Sequence, residues 1–215
     1  MRIAIYNHKG GVGKTTTAIN LAYSLTKFNP ECKVLFADCD KQQNAARFFC
    51  EKAASGISGS RYKGISVISV ADPAELPVSS EEYDFMLLDM PPALDSRTET
   101  LLAAADSVIV PVELGSFAVQ GIADVTAAIS RSETVFLGAL VTRFDRKNSA
   151  DVEMLDLIRQ QLGAKVFDTI IPQSKIICNS INYRMTAAEY MGWLEPAKCF
   201  DRLAAEVIRK GTAIC

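Results

Sequence analysis

The chain has 215 residues, a length that fits one compact domain, 1–215, with a core large enough to need neither disulfides nor a structural metal. At 49% hydrophobic and 22% charged it is too apolar for disorder, and 23 basic against 25 acidic residues, a formal net charge of −2, argue against a strongly basic nucleic-acid coat protein. Six cysteines include no CxxC pair and are accompanied by one histidine, which speaks against zinc or iron–sulfur scaffolds and for reduced thiols in a cytosolic protein. The sequence enters a strand-like run at 2–7 with no basic-then-apolar segment before it, so export is not expected. The most apolar stretch, 101–112, is interrupted by Asp106 and falls short of the roughly 20 residues that span a bilayer.

Short apolar runs alternate with longer amphipathic ones. Strands are predicted at 3–6, 34–37, 65–70, 85–88, 107–112, 135–141 and 166–171, and helices at 14–28, 42–53, 98–105, 117–130, 150–162 and 197–209. Segment 55–64, SGISGSRYKG, reads as a surface loop. The rhythm is that of an α/β fold with a mostly parallel, doubly wound sheet flanked by helices.

The sharpest feature, KGGVGKTT at 9–16, sits between the first strand and the first long helix. Gly10, Gly11 and Gly13 let the backbone turn so that loop N–H groups, that of Val12 among them, point at phosphate oxygens, and the helix that follows adds the positive end of its dipole. Lys14 is placed to reach the β and γ phosphates, the Thr15 hydroxyl to coordinate Mg²⁺, and the Thr16 hydroxyl to meet the α phosphate. His8 stands where the pattern GxxxxGK[ST] has its first glycine, and Lys9 adds a second lysine to one phosphate site. Farther on, Asp38 and Asp40 straddle a strand end, where alternate side chains share a face. Two carboxylates beside a phosphate loop suit Mg²⁺ held through water and an oriented attacking water, the positioning and charge neutralisation that phosphoryl transfer needs.

KGGVGKTT resembles the deviant Walker A motif of the ParA and MinD family of P-loop ATPases. DCDKQQNAA, 38–46, is similar to that family's switch I, usually DxDPQxNxT, and LLDMPPA, 87–93, resembles its Walker B and switch II segment. The three lie in family order and the alternating pattern continues through the chain. The resemblance implies ATP and Mg²⁺ as cofactors, Asp40 as the residue that positions the hydrolytic water, Asp38 near the metal, and Asp89 as the Walker B aspartate. It also implies that Lys9 crosses an ATP-dependent homodimer interface to the partner's nucleotide, as an arginine finger does. Lys41 in place of the usual proline, and Pro91-Pro92 in place of a freer segment, depart from the family.

TRFD, 142–145, lies near the [NT]KxD pattern that holds guanine, with Arg143 in place of lysine. The resemblance favours ATP, with Thr142, Arg143 and Pro172 near the adenine. The stripe Phe200, Leu203, Ala204, Val207 and Ile208 reads as core packing, because the opposite face is nearly balanced in charge where a membrane-surface helix is rich in Lys and Arg. Residues 131–215 carry a net +2 and residues 1–130 a net −4, so Lys175, Arg184, Lys198, Arg202, Arg209 and Lys210 are candidates for a DNA face. By resemblance the expectation is a small partition ATPase without the N-terminal helix-turn-helix extension of larger ParA proteins. It would dimerise on ATP, bind DNA non-specifically on the nucleoid in the cytoplasm, and be released by a ParB-like centromere-binding or cargo protein, with no stable membrane anchor. A MinD-like membrane positioning ATPase and a metabolic or metal-insertion nucleotide hydrolase on the same scaffold are the alternatives.

Overall fold

The computed structural model describes residues 1–29, 31–50, 60–77, 82–115, 118–130 and 132–212. Seven strands form one sheet: β1 (Arg2–Ile5), β2 (Val34–Asp38), β3 (Ser60–Tyr62), β4 (Ile65–Ser69), β5 (Phe85–Asp89), β6 (Ser107–Glu113) and β7 (Val135–Thr142). Their order is β3-β4-β2-β5-β1-β6-β7, parallel throughout except for β3 at one edge. Among the described residues eight α-helices accompany it: α1 (Lys14–Phe28), α2 (Asn44–Cys50), α3 (Ser96–Ala103), α4 (Ala118–Ile129), α5 (Ser149–Leu162), α6 (Lys175–Asn182), α7 (Ala187–Met191) and α8 (Glu195–Thr212).

The pleat sorts each central strand between two apolar layers. Ile3 and Ile5 of β1 with Val34 and Phe36 of β2 join residues of α1 and α8 on one face. Ala4 with Leu35 and Ala37 joins residues of α3, α4 and α5 on the other. Both faces are therefore covered, which is why these strands read as unbroken apolar runs. Fully buried Phe36 meets Phe49 edge-on at 5.0 Å, and each such side chain contributes roughly 1.5–3 kcal/mol by leaving water.

Two expectations are corrected. Segment 166–171 is not a strand: it meets β7 through one isolated bridge, Ala139↔Val166, with Phe167 N and Ile171 N donating to the Ala139 and Val141 carbonyls at 2.9 Å. Its middle amides turn away, since Asp168 N and Thr169 N donate to the two carboxylate oxygens of Glu206 on α8, at 2.8 and 2.9 Å. Of the expected loop 55–64, residues 55–59 lie outside the described residues, and 60–62 form β3, antiparallel to β4. Lys63 and Gly64, both at positive φ (46° and 87°), make the two-residue turn whose twist suits a hairpin. The helix expected at 42–53 is described only as Asn44–Cys50, with 51–53 outside the described residues.

Candidate nucleotide-binding site

The phosphate loop leaves the C-terminal end of β1 and closes on α1. Gly13 caps that helix at φ 87°, a left-handed conformation that costs a glycine nothing, and its carbonyl accepts from Thr17 N at 2.9 Å. The mostly buried Lys14 lies across the loop, its Nζ donating to the Lys9 carbonyl at 2.8 Å. Thr142 at the end of β7 ties the loop down from the far side: Oγ1 bridges the carbonyls of Val12, at 2.9 Å, and Val112, at 3.1 Å.

Register brings the acidic residues to this loop. Asp38 of β2 pairs with Asp89 of β5, and Asp89 pairs with Ile5, the last residue of β1 before the loop. Asp89 is fully buried, and its carboxyl is raised to about 8, by burial first and then by Asp38, against the Thr15 hydroxyl that hydrogen-bonds it and the pull of the Lys14 ammonium. Among the described residues its Oδ1 has no hydrogen-bond partner. A buried carboxylate oxygen without a donor, beside a threonine hydroxyl at a phosphate loop, fits a divalent cation that takes its remaining ligands from phosphates and water, as Mg²⁺ does. Burial also lowers the pKa of Lys14, against the pull of Asp89 and Asp40.

Asp38 is differently employed. Its Oδ1 accepts from Asp40 N at 3.1 Å and its Oδ2 from Ala46 N at 2.7 Å, so this carboxylate braces the segment that carries Asp40. Burial raises its pKa and those amides oppose the rise. Asp40 is half-buried at the head of the turn into α2, accepting from Gln42 N at 3.0 Å. Lys41 is exposed, Pro91 is buried, and the Tyr6 hydroxyl holds the segment after Asp89 by donating to the Ala93 carbonyl at 2.7 Å.

Next to Gly13 and Thr16 opens a cavity of about 500 Å³. Thr142, Arg143 and Pro172 all line it, although the Thr142 hydroxyl is committed to backbone carbonyls. Its far wall was not foreseen: Gln173, Ser174 and, on α6, Cys178 and Asn182. Only the Ser174 cap of α6, which accepts from Ile176 N at 3.1 Å, leaves a trace in sequence. Asp145 of TRFD does not line the cavity; its carboxylate accepts from Lys147 N at 3.0 Å in the turn leading to α5. The guanine-reading geometry of [NT]KxD is thus not formed.

The six basic candidates do not gather on one surface. Lys175 lines the cavity. Lys198 and Arg184 are exposed, while Arg202 pairs with Glu195 and Arg209 with Asp168 at 3.2 Å. Lys210 donates to the Ala164 carbonyl at 2.9 Å, and Gly211 beside it packs on Met1, which places that end of α8 opposite the phosphate loop. The apolar stripe of α8 is buried, Ile208 excepted at 36% exposure, and among the described residues no helix is long and apolar enough to cross a membrane.

The chromosome-partitioning ATPase Soj of Thermus thermophilus is 32% identical, over 97% of this chain and 96% of its own. The chromosome partitioning protein ParA of Myxococcus xanthus is 30% identical, over 80% of this chain and 75% of its own. In structure, the septum site-determining protein MinD complexed with Mg-ADP, from Pyrococcus horikoshii, matches 100% of this chain and 98% of its own with a TM-score of 0.81 at 19% identity, a likeness of fold. The family model described as the CobQ/CobB/MinD/ParA nucleotide binding domain matches residues 3–187, and the chain belongs to that family.

Proposed function

We propose that this chain is a ParA-type partition ATPase with a single P-loop domain, which dimerises on ATP, binds DNA without sequence preference and lets go when a partner protein stimulates hydrolysis of ATP to ADP and phosphate. One observation carries the reading: the register of β2, β5 and β1 sets Asp38 and Asp89 side by side at the strand ends that feed a loop with two lysines. Mg²⁺, when bound with ATP, supplies charge neutralisation at the transferring phosphoryl group. Asp89 and Thr15 hold it; Lys14 and the N–H groups of the loop and of the first turn of α1 hold the phosphates; Asp40, braced through Asp38, orients the water. Lys9 reaches the partner's nucleotide and makes dimerisation depend on ATP.

The relatives' role in chromosome partitioning supports DNA as the surface and a ParB-like protein as the releasing partner, with the protein cytoplasmic and nucleoid-associated. Lys175, Arg184, Lys198, Arg202 and Arg209 are exposed and are candidates for phosphate contacts. A MinD-like membrane role is less well served, because the apolar face of α8 is spent on α1 and the sheet.

The test is binding to a random-sequence duplex without nucleotide and with ADP, ATP or GTP, at two salt concentrations, beside anionic liposomes. Binding that requires ATP and weakens with salt is expected. Liposome binding in its place would move the chain to the membrane class, and ATP turnover with neither surface bound would point to a soluble hydrolase.

A further inference from the structure

Both polar groups of the Lys9 backbone are already occupied. Its carbonyl accepts from Lys14 Nζ at 2.8 Å, and its N–H donates to Asn7 Oδ1 at 3.0 Å. Asn7 is 1% exposed, and its amide nitrogen donates to the Pro111 carbonyl of β6 at 2.8 Å. One side chain therefore ties the first residue of the loop to a central strand. An amide suits this, because one end accepts and the other donates.

Helix α4 closes over the same residues. A Cβ added at Gly121 would lie 3.4 Å from both Asn7 Oδ1 and Nδ2, and 3.8 Å from Lys9 Cε. One turn later, Asp124 Oδ2 stands 3.5 Å from His8 Nε2, while Asp124 Oδ1 accepts from Gln120 Nε2 at 2.7 Å. Asn7, His8 and Lys9 thus all rest on a single turn of α4, and the missing side chain of Gly121 leaves the room that the first and third of them use.

We propose that Asn7, braced by the α4 turn at Gly121 and Asp124, is a positioning residue that holds Lys9 for its contact with the partner subunit's nucleotide. This rests on the trans role of Lys9 given above. A lysine on a loose loop would lose, in ordering, much of what its charge contributes across an interface. With both backbone groups pinned, the Lys9 backbone has no further ordering to undergo when two subunits meet.

The experiment compares Asn7→Ala, Lys9→Ala and the double variant, reading ATP-dependent dimerisation by sedimentation and, separately, the affinity of the monomer for a fluorescent ATP analogue. Asn7→Ala is expected to weaken dimerisation about tenfold, the scale of one lost buried hydrogen bond, with a much smaller change in monomer affinity. The double variant is expected to dimerise no worse than Lys9→Ala, because both changes act through one contact. Additive losses, or normal dimerisation of Asn7→Ala where Lys9→Ala fails, would overturn the inference and leave the trans role standing. A Lys9→Ala protein that dimerises normally would remove the trans role itself. Should Asn7→Ala not fold, Gly121→Leu decides: leucine favours the helix over glycine, yet its side chain enters the Asn7 and Lys9 space, so unimpaired dimerisation would overturn the proposal.

Discussion

Asp38 and Asp89 are register partners at the ends of adjacent parallel strands, yet only Asp38 has both carboxylate oxygens engaged by backbone amides, while Asp89 keeps a buried oxygen with no donor among the described residues. The pair therefore divides, one aspartate holding the chain and the other keeping an oxygen for the cation proposed above. Asp38→Asn keeps one acceptor for two amides and should destabilise the nucleotide-free protein by about 1–2 kcal/mol, roughly 2–8 °C in melting temperature. Asp89→Asn should leave that temperature nearly unchanged, because burial already raises this carboxyl to about 8 in the nucleotide-free protein, so the amide replaces a largely uncharged group. It should nevertheless abolish the Mg²⁺-dependent part of ATP binding. Thermal denaturation and ATP titration with and without Mg²⁺ check both, and equal destabilisation by the two changes would contradict the division.

Asp40 is held by the turn it begins and is half-buried, a placement suited to orienting a water rather than to holding the fold. Asp40→Ala should bind ATP with near-normal affinity and accumulate as the ATP dimer, with turnover down by about 10²-fold or more, the usual scale for a positioned acid–base group. Single-turnover hydrolysis and light scattering measure the two. Normal turnover would take Asp40 out of that role.

The phosphate loop and its helix were legible because their chemistry is local: strand, glycines, lysine and threonine follow one another, and α1 spans the predicted 14–28. Asp38 and Asp89 were legible as motif residues, but not their separate duties, which depend on amides at Asp40 and Ala46. Segment 166–171 looked like a strand because it is apolar; Glu206, far away in sequence, takes two of its amides off the ladder, and nothing in the segment announces that. Helices α6 and α7 are too short for a 3.6-residue period to show. Thr186-x-x-Glu189 does spell a capping box, the one local sign of α7. The far wall of the cavity, on α6, is a product of tertiary packing.

That capping residue has a second duty, since the Glu189 carboxylate also accepts from the Tyr62 hydroxyl and, at 2.9 Å, from Lys63 Nζ, joining the β3–β4 hairpin to α7. Burial alone would raise its pKa, but the hydrogen bonds from Tyr62, Lys63 and Thr186 outweigh it and bring the value down to about 2. A carboxylate lowered in the folded state adds stability above its ordinary pKa of 4.5, and that stability drains away as pH falls toward 2. Glu189→Gln should therefore cost about 1–3 kcal/mol at pH 7, and progressively less between pH 4.5 and 2. Urea unfolding across that range tests it; a difference between the two proteins that does not shrink with acid would rule the carboxylate out as the cause.

Cys178 offers a direct probe of where the base sits. Among the described residues, Cys32, Cys39 and Cys199 are buried while Cys178 is exposed on the wall of the cavity beside Thr16. Burial raises the pKa of each of those three thiols, and raises that of Cys199 to about 12, so they should be slow to alkylate as well as hidden. Of these four, iodoacetamide should modify Cys178 first, and Mg-ATP should slow that modification in proportion to site occupancy, which peptide mass spectrometry can follow. GTP should protect poorly, since Asp145 is turned to Lys147 and away from the cavity. Alkylation of Cys178 at the same rate with and without saturating ATP would place the base elsewhere, and equal protection by GTP would show that the cavity does not discriminate between the purines.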